Sequence, residues 1–392
     1  MSRGPKPWRS SYLVFGAPYI GRAEKREVRR CLDSGWIGSG PRAHRLEAKF
    51  ARHLGARHAL ALNSGSAALF LALKGLRLKP RSEVIVPSMT FCATANAVVN
   101  AGLTPVLVDC ERDSMNIDPA EIRRRIGKRT KAVLPVHFAG RPCAMREIMG
   151  IARAHGLAVI EDCAHAIEAA SGGRRCGTFG DYGAFSFYVT KNMTTGEGGM
   201  LVSKTRKAMG RLRGAALHGL SEDAWERFSD DGYVHYAVIE PGYKFNLTDL
   251  AASLGLHQLA RLEKAYRHRR LLWDFYLREL RELPLLLPAP VRRGDRHARH
   301  LFTCLVDDSR TDIARDQVLR RLHQLRIGSG VHYIPVHEHP FYKKHFPAPR
   351  GGLPNSAYIG ARTFSLPLSY AVSRRDAADV VRALRLIFGS GA

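Results

Sequence analysis

In the first half of the chain, short β-forming apolar runs alternate with segments whose apolar residues recur at helical spacing. SEVIVPS (82–88) precedes FCATANAVVNAG, TPVLVDC (104–110) precedes PAEIRRRIG, and KAVLPVHF (131–138) precedes AMREIMGIARAHG. GLAVIEDC (156–163) leads on to YGAFSFYV (182–189) and GGMLVS (198–203). Repeated strand–helix units predict an α/β fold with a mostly parallel sheet covered by helices. In such a sheet, functional groups gather in the crevice at the carboxyl ends of the strands.

From Asn246 to Leu280 the pattern turns helical: NLTDLAASLGLHQLARLEKAYRHRRLLWDFYLREL. Thr248 is placed to cap its start, with Asp249 favourable in the first turn. The length predicts one long helix, or two in tandem, linking two domains. Beyond it come a Pro-rich turn (LPLLLPAPVRRG), a strand (HLFTCLVD), a helix (ARDQVLRRLHQLRIG), a strand-like GSGVHYIPV and a last helix (RRDAADVVRALRLIFG). The expected division is therefore a large α/β domain over 1–250, followed over 251–392 by the linking helix and a small α+β domain.

Composition narrows the class. A chain of 392 residues with 45% hydrophobic content supports a large core in two or three folding units. The seven cysteines are odd in number and contain no CxxC pair, so they read as reduced, mostly buried side chains, and no metal site is expected. MSRGPKPWRSSYLVF has basic residues but no sustained apolar core or small-residue cleavage site, and no apolar run approaches the roughly 18 residues that span a bilayer. A cytoplasmic protein without a membrane partner is expected. The net charge of +26 raises nucleic acid as a partner. The basic residues, however, recur along stretches such as AEKREVRRCL and RLEKAYRHRRLL, which look like polar helix faces, and no nucleic-acid-binding motif accompanies them. A solvated arginine-rich surface, or attraction to an anionic small substrate, explains the charge more economically.

Candidate chemistry centres on Lys191. It follows the run Ala184–Val189, which reads as a buried strand, and precedes the turn-like Gly196-Glu197-Gly198-Gly199. A lysine at such a strand end either snorkels to solvent or forms a Schiff base. Asp162 ends the strand GLAVIED; it either caps a following helix or pairs with a buried cation such as a protonated pyridine nitrogen. Asn63-Ser64-Gly65-Ser66-Ala67-Ala68 opens an apolar helical run, which makes an ordinary N-cap or a phosphate site. Phe91 and His165 read as ring-stacking residues or as interior side chains. Alternation places Ser186 on the face opposite Phe185 and Phe187, available to a phosphate or to a neighbouring backbone group.

In order and spacing, EDCAHA…GTFGDYGAFSFYVTKN…GEGGMLVS…PGYKFNLTDLAASLGLHQLARLE resembles the DegT/DnrJ/StrS family. The resemblance extends from VRRCLDSGWIGSGPRAHRLEAKFARHLGARHALALNSGSAAL to GSGVHYIPVHEHPFYKKHF and FSLPLSYAVSRRDAADVV, nearly the whole chain. Members of this family are aminotransferases of aspartate-aminotransferase-like fold (fold type I) that use pyridoxal 5'-phosphate (PLP) on nucleotide-linked keto-sugars. His165 and PGYKFNLTD look most similar to the ArnB-like branch, which acts on a UDP-4-keto-pentose. The resemblance implies that Lys191 carries PLP as a Schiff base and shuttles the proton, that Asp162 pairs with the pyridinium nitrogen, and that His165 and Phe91 flank the ring. It implies a phosphate held by Ser66, the Ala67 backbone and Ser186, with Lys244 or Asn246 reaching in from the neighbouring subunit of a homodimer with shared sites. Here the chain departs from the commoner family form, which has Asn at position 244 and Arg at 246, and either residue can serve. Trp36, Ser39, His332, Tyr333 and His337 resemble parts of the substrate cleft. Some relatives that dehydrate sugars have histidine at the position of Lys191; lysine favours transamination, with L-glutamate as the implied donor. Amination of another keto-sugar or a cyclitol, and a catalytically idle regulatory role, remain open alternatives.

Overall fold

The computed structural model describes residues 7–221 and 236–389. The first six residues of the stretch read for a leader lie outside them. In chain order the strands are β1 (His58–Leu62), β2 (Glu83–Pro87), β3 (Thr104–Val108), β4 (Thr130–Val133), β5 (Ala158–Asp162), β6 (Ala170–Ser171), β7 (Arg174–Arg175), β8 (Tyr182–Ser186) and β9 (Gly199–Ser203). Apart from the β6–β7 hairpin they form one sheet in the order β1-β9-β8-β5-β4-β2-β3. Strand β9 runs antiparallel to both its neighbours, and all other pairs are parallel. The mostly parallel α/β sheet read from the repeating units is present.

Period-two alternation sorts the strand side chains into two layers. Helices α1 (Arg22–Asp33) and α2 (Pro41–Leu54) precede the sheet. Val84, Val86, Ala184 and Leu201 face α3 (Gly65–Gly75), α4 (Cys92–Asn100) and α7 (Arg206–Ala215). On the other side Ile85, Val133 and Val159 pack with α5 (Pro119–Arg125) and α6 (Met145–Ala154). Phe185 and Met200 meet α2 and the start of α8 (Asp249–Glu279). Two buried faces explain why these strands read as continuous apolar runs.

Of the two readings for 246–280, the single helix is the one formed. The Thr248 hydroxyl accepts from the Ala251 N–H at 3.2 Å, and α8 then runs for 31 residues, roughly 46 Å at 1.5 Å per residue. Leu256 and Leu262 pack in the core of the large sheet, whereas Trp273 and Tyr276 pack in a second core. That second core is built on an antiparallel sheet of β10 (Leu285–Leu286), β11 (Phe302–Val306) and β12 (Thr363–Leu366). Helices α9 (Arg315–Gln324), α10 (Pro340–His345), α11 (Pro354–Arg362) and α12 (Arg374–Gly389) complete the described chain. Leu13 bridges Ile327 and joins this core, so the N-terminal segment packs on C-terminal elements.

GSGVHYIPV does not form the expected strand. Gly330 makes an isolated bridge to Ser365, and a 3-10 turn begins at Val336. Pro335 cannot donate to a ladder and the two glycines offer no side chains to pack, so the segment stays extended. Among the described residues no helix is long and apolar enough to cross a membrane. All seven cysteines are free, and all but Cys92 are buried.

Candidate active site

The sheet topology delivers the candidate residues to one edge. Asp162 ends β5 and Ser186 ends β8, while Gly199, which starts the antiparallel β9, lies opposite both Ser186 and Leu62. Residues 62–66, Phe91 after β2, Asp162 and the Ser186–Lys191 segment thus share the carboxyl edge of the parallel strands.

Neighbouring acids on β5 take opposite faces. Glu161 accepts N–H bonds from Gly177, Phe179 and Gly180 at 2.7–2.8 Å and faces His137 Nε2 at 3.1 Å, so it is saturated within the fold. Asp162 points the other way. It is 4% exposed, and its carboxylate accepts from the Ala164 N–H at 3.0 Å and the Thr94 hydroxyl at 2.8 Å. No helix follows it, so it is not a helix cap. Burial pushes its carboxyl above the usual range, opposed by those two bonds and by the charge of Lys191.

Lys191 is partly buried, on a turn closed by its own N–H to the Tyr188 carbonyl at 2.9 Å. Burial pushes its ammonium down to about 8, with Asp162 pulling the other way.

His165 is both an interior histidine and a wall of this site. Its Nδ1 accepts the Ala139 N–H at 3.2 Å, so the proton sits on Nε2, 3.1 Å from the Tyr333 hydroxyl. The Tyr333 ring stacks beside His165 at 6.2 Å and approaches Phe91 at 5.8 Å. Phe91 is 56% exposed at the N-cap of α4, which excludes the core reading. His332 packs on Phe15, its Nδ1 lies 2.9 Å from Ser365 Oγ, and burial pushes it down to about 3. His337 is fixed behind β2 by the Ser88 hydroxyl, 2.7 Å from its Nδ1.

At the start of α3, Ser64 Oγ accepts the Ala67 N–H at 3.1 Å. The Ala67 donor expected for phosphate is thus engaged, and the Gly65 and Ser66 N–H groups before it have no partner among the described residues. A Cβ on Gly65 would lie 2.8 Å from Ser186 Cβ, and one on Gly199 would lie 2.4 Å from the Ser64 carbonyl oxygen. These two glycines let the helix terminus sit directly against Ser186. The exposed Ser66 completes the group.

Lys244 and Asn246 lie next to this terminus: the Asn63 amide donates to the Lys244 carbonyl at 3.2 Å, and Leu62 bridges Asn246. The Lys244 side chain is exposed. Asn246 donates to Ser39 Oγ, and its buried Oδ1 has no partner among the described residues. Trp36 Nε1 donates to the Ser39 carbonyl at 3.0 Å, and Ser39 Oγ donates to the Leu247 carbonyl at 2.5 Å. Trp36 and Ser39 thus join the Asn246 segment, and none of their contacts runs to Lys191 or His165.

Residues 18–385 match the profile of the DegT/DnrJ/EryC1/StrS aminotransferase family. The chain belongs to this family. It is 43% identical over 378 residues to the spore coat polysaccharide biosynthesis protein SpsC of Bacillus subtilis, covering 96% of this chain and 97% of SpsC. The putative sugar aminotransferase Spr1654 of Streptococcus pneumoniae, solved in a PLP form, superposes with a TM-score of 0.88 at 28% identity, over 97% of this chain and 99% of that one. DesI, solved in the presence of its TDP-sugar product, superposes with a TM-score of 0.87 at 32% identity, over 99% of this chain and 95% of DesI.

In this aminotransferase, sequence reading missed several residues at the site. Thr94 supplies the side-chain hydrogen bond to Asp162 from a helix that read only as apolar cover. His300 lies with its ring centre 4.5 Å from that of His165, and its Nδ1 is 3.0 Å from Asn192 Oδ1. No local pattern marks a contact between residues 108 positions apart. Asn192 alone carried a signal, its place directly after Lys191.

Proposed function

We propose that this aminotransferase moves an amino group from L-glutamate to a nucleotide-linked keto-sugar, using PLP held at Lys191. The observation that carries the reading is a buried acid and a partly buried base at one strand edge. Asp162 and Lys191 are both pushed toward neutrality by burial, and each favours the charge of the other.

The residues fit PLP. The Asp162 carboxylate receives only neutral donors, which leaves it able to take the N–H of a pyridinium ring. The free N–H groups of Gly65 and Ser66, with the Ser66 and Ser186 hydroxyls, suit a phosphate dianion at a helix N-terminus. Phe91 and His165 offer flat faces for the ring. The PLP form of Spr1654 and the TDP-sugar product of DesI support the reading from outside.

When bound, PLP supplies the electron sink for a carbanion at the amine-bearing carbon. Asp162 holds the ring-nitrogen proton through its carboxylate. The Lys191 Nζ, with its ammonium near 8, keeps roughly a tenth of its population neutral at pH 7 and so takes and returns the migrating proton as general base and acid. Desolvation pushes His165, His300 and the half-buried His332 toward the neutral form, so they add no competing cation. Tyr333 and Phe138 pack against the His165 ring and shield that imidazole from solvent.

A homodimer accompanies the reading. Trp36, Ile37 and Leu250 are exposed apolar side chains grouped by the Leu250 N–H to Ile37 carbonyl bond, and Lys244, six residues before Leu250, is exposed as well.

The test is a cofactor cycle. L-Glutamate converts the purified PLP-loaded protein to its pyridoxamine phosphate form. Nucleotide keto-sugars are then added singly, with UDP-4-keto-pentose first. Return of the PLP absorbance with one sugar identifies the substrate. Return with none, despite conversion by glutamate, places the acceptor outside the panel; failure of glutamate to convert the cofactor moves the idle regulatory reading ahead.

A further inference from the structure

A line of largely buried polar contacts runs from α8 to His165 through Glu168, Asn192 and His300. Arg269 is 2% exposed, pairs with Glu168, and donates its Nε–H to the Arg299 carbonyl at 3.2 Å. Glu168 Oε2 accepts from Asn192 Nδ2 at 2.8 Å, and the same nitrogen reaches the Ala298 carbonyl at 3.2 Å. Two acceptors fix the nitrogen end of the Asn192 amide, so its oxygen faces His300. His300 Nδ1, 3.0 Å from that oxygen, must then carry the proton.

The two imidazoles therefore hold opposite tautomers, Nδ1–H in His300 and Nε2–H in His165. Their rings lie 4.5 Å apart at 34°. Lys191, His332, Arg269 and His297 surround His300, and together with burial they disfavour a proton on its second nitrogen. Asn192 directly follows Lys191, so the amide that sets His300 also anchors the turn carrying the lysine.

We propose that Asn192 and His300 are positioning residues: the Arg269–Glu168 pair orients the Asn192 amide, Asn192 holds His300 as a neutral Nδ1–H imidazole, and His300 backs the His165 wall of the cofactor site. The proposal rests on the reading of that site as a PLP site. It explains an amide at position 192. A carboxylate there would repel Glu168 and draw a proton onto His300, placing a new cation beside Lys191.

The experiment is a long-range proton–nitrogen correlation spectrum of cofactor-free protein labelled on histidine, at pH 7, with signals assigned through His300→Gln and His165→Gln. The expected result is neutral His300 protonated on Nδ1 and neutral His165 protonated on Nε2. In Asn192→Asp, His300 becomes charged at the same pH and PLP binds at least ten-fold more weakly. A native His300 that is charged, or protonated on Nε2, overturns the proposal. So does an Asn192→Asp protein with neutral His300 and unchanged PLP affinity. Should that variant fail to fold, the native spectrum still decides. The spectrum needs no cofactor or sugar, so native protein that fails to bind PLP overturns the functional reading and leaves the tautomer assignment standing.

Discussion

The Thr94 hydroxyl donates to the Asp162 carboxylate at 2.8 Å, so helix α4 steadies the acid at the end of β5 while leaving its charge uncompensated by any cation in direct contact. Such an acid destabilises the protein until a cationic partner arrives. Because burial raises its folded-state pKa, stability in the cofactor-free protein falls as pH rises from the ordinary carboxyl value of about 4 through the raised one. Asp162→Asn is expected to remove that slope and to leave the cofactor-free melting temperature equal or higher. Activity should fall at least about 100-fold, the scale on which loss of a charge-assisted partner in a dry site acts. Melting curves across pH, with a turnover assay, check both halves.

Lys191 gives a trend of its own. Its folded-state pKa of about 8 lies below the unfolded value of about 10.4. The folded state therefore binds fewer protons between those values, and this group's contribution to stability rises with pH across that window. PLP capture requires the neutral amine, so with an ammonium near 8 the rate of PLP loading should rise about five-fold from pH 7 to 8 and level off about ten-fold up above pH 9. Borohydride reduction and peptide mapping should find the phosphopyridoxyl label on Lys191, and Lys191→Ala should fold yet show no turnover. Turnover in that variant would remove the lysine from the mechanism.

Gly65→Ala tests the helix-end cradle. The new Cβ would meet Ser186 Cβ at 2.8 Å, so the terminus of α3 must move off β8. Overpacking of this kind costs about 1–3 kcal/mol. The loss should be seen in thermal unfolding, and PLP should dissociate faster because the Gly65 and Ser66 N–H groups no longer sit beside Ser186.

Lys244 and Asn246 are separable. Asn246 spends its amide on Ser39 of its own chain, whereas the exposed Lys244 ammonium has no partner among the described residues. Lys244→Ala should therefore raise the Kd for PLP several-fold and more than Asn246→Ala does. If the contact crosses a dimer, co-expressed Lys191→Ala and Lys244→Ala chains should recover activity in mixed dimers. Equal effects of the two alanine variants on Kd would return the question to where the sequence left it.

The sheet, and the strand ends on which Asp162 and Lys191 fall, were legible in the chain alone. Strand–helix repetition, read at periods of 2 and 3.6, requires a covered parallel sheet, and the ends of β5 and β8 in such a sheet put Asp162 and Lys191 on one edge. Thr248 and Asp249 marked the start of α8 because capping is chemistry local to a few residues. Tertiary structure alone decided the surroundings of that pair. Whether GSGVHYIPV pairs as a strand depended on Pro335 and on what lay beside it, and the segment instead delivers Tyr333 to His165. The tautomers of His165 and His300, and the engagement of Ala67 by Ser64, follow from partners distant in sequence or from competition for one donor. Burial moved the Lys191 ammonium to about 8. Desolvation is set by everything packed around a group, and no short stretch of chain encodes it.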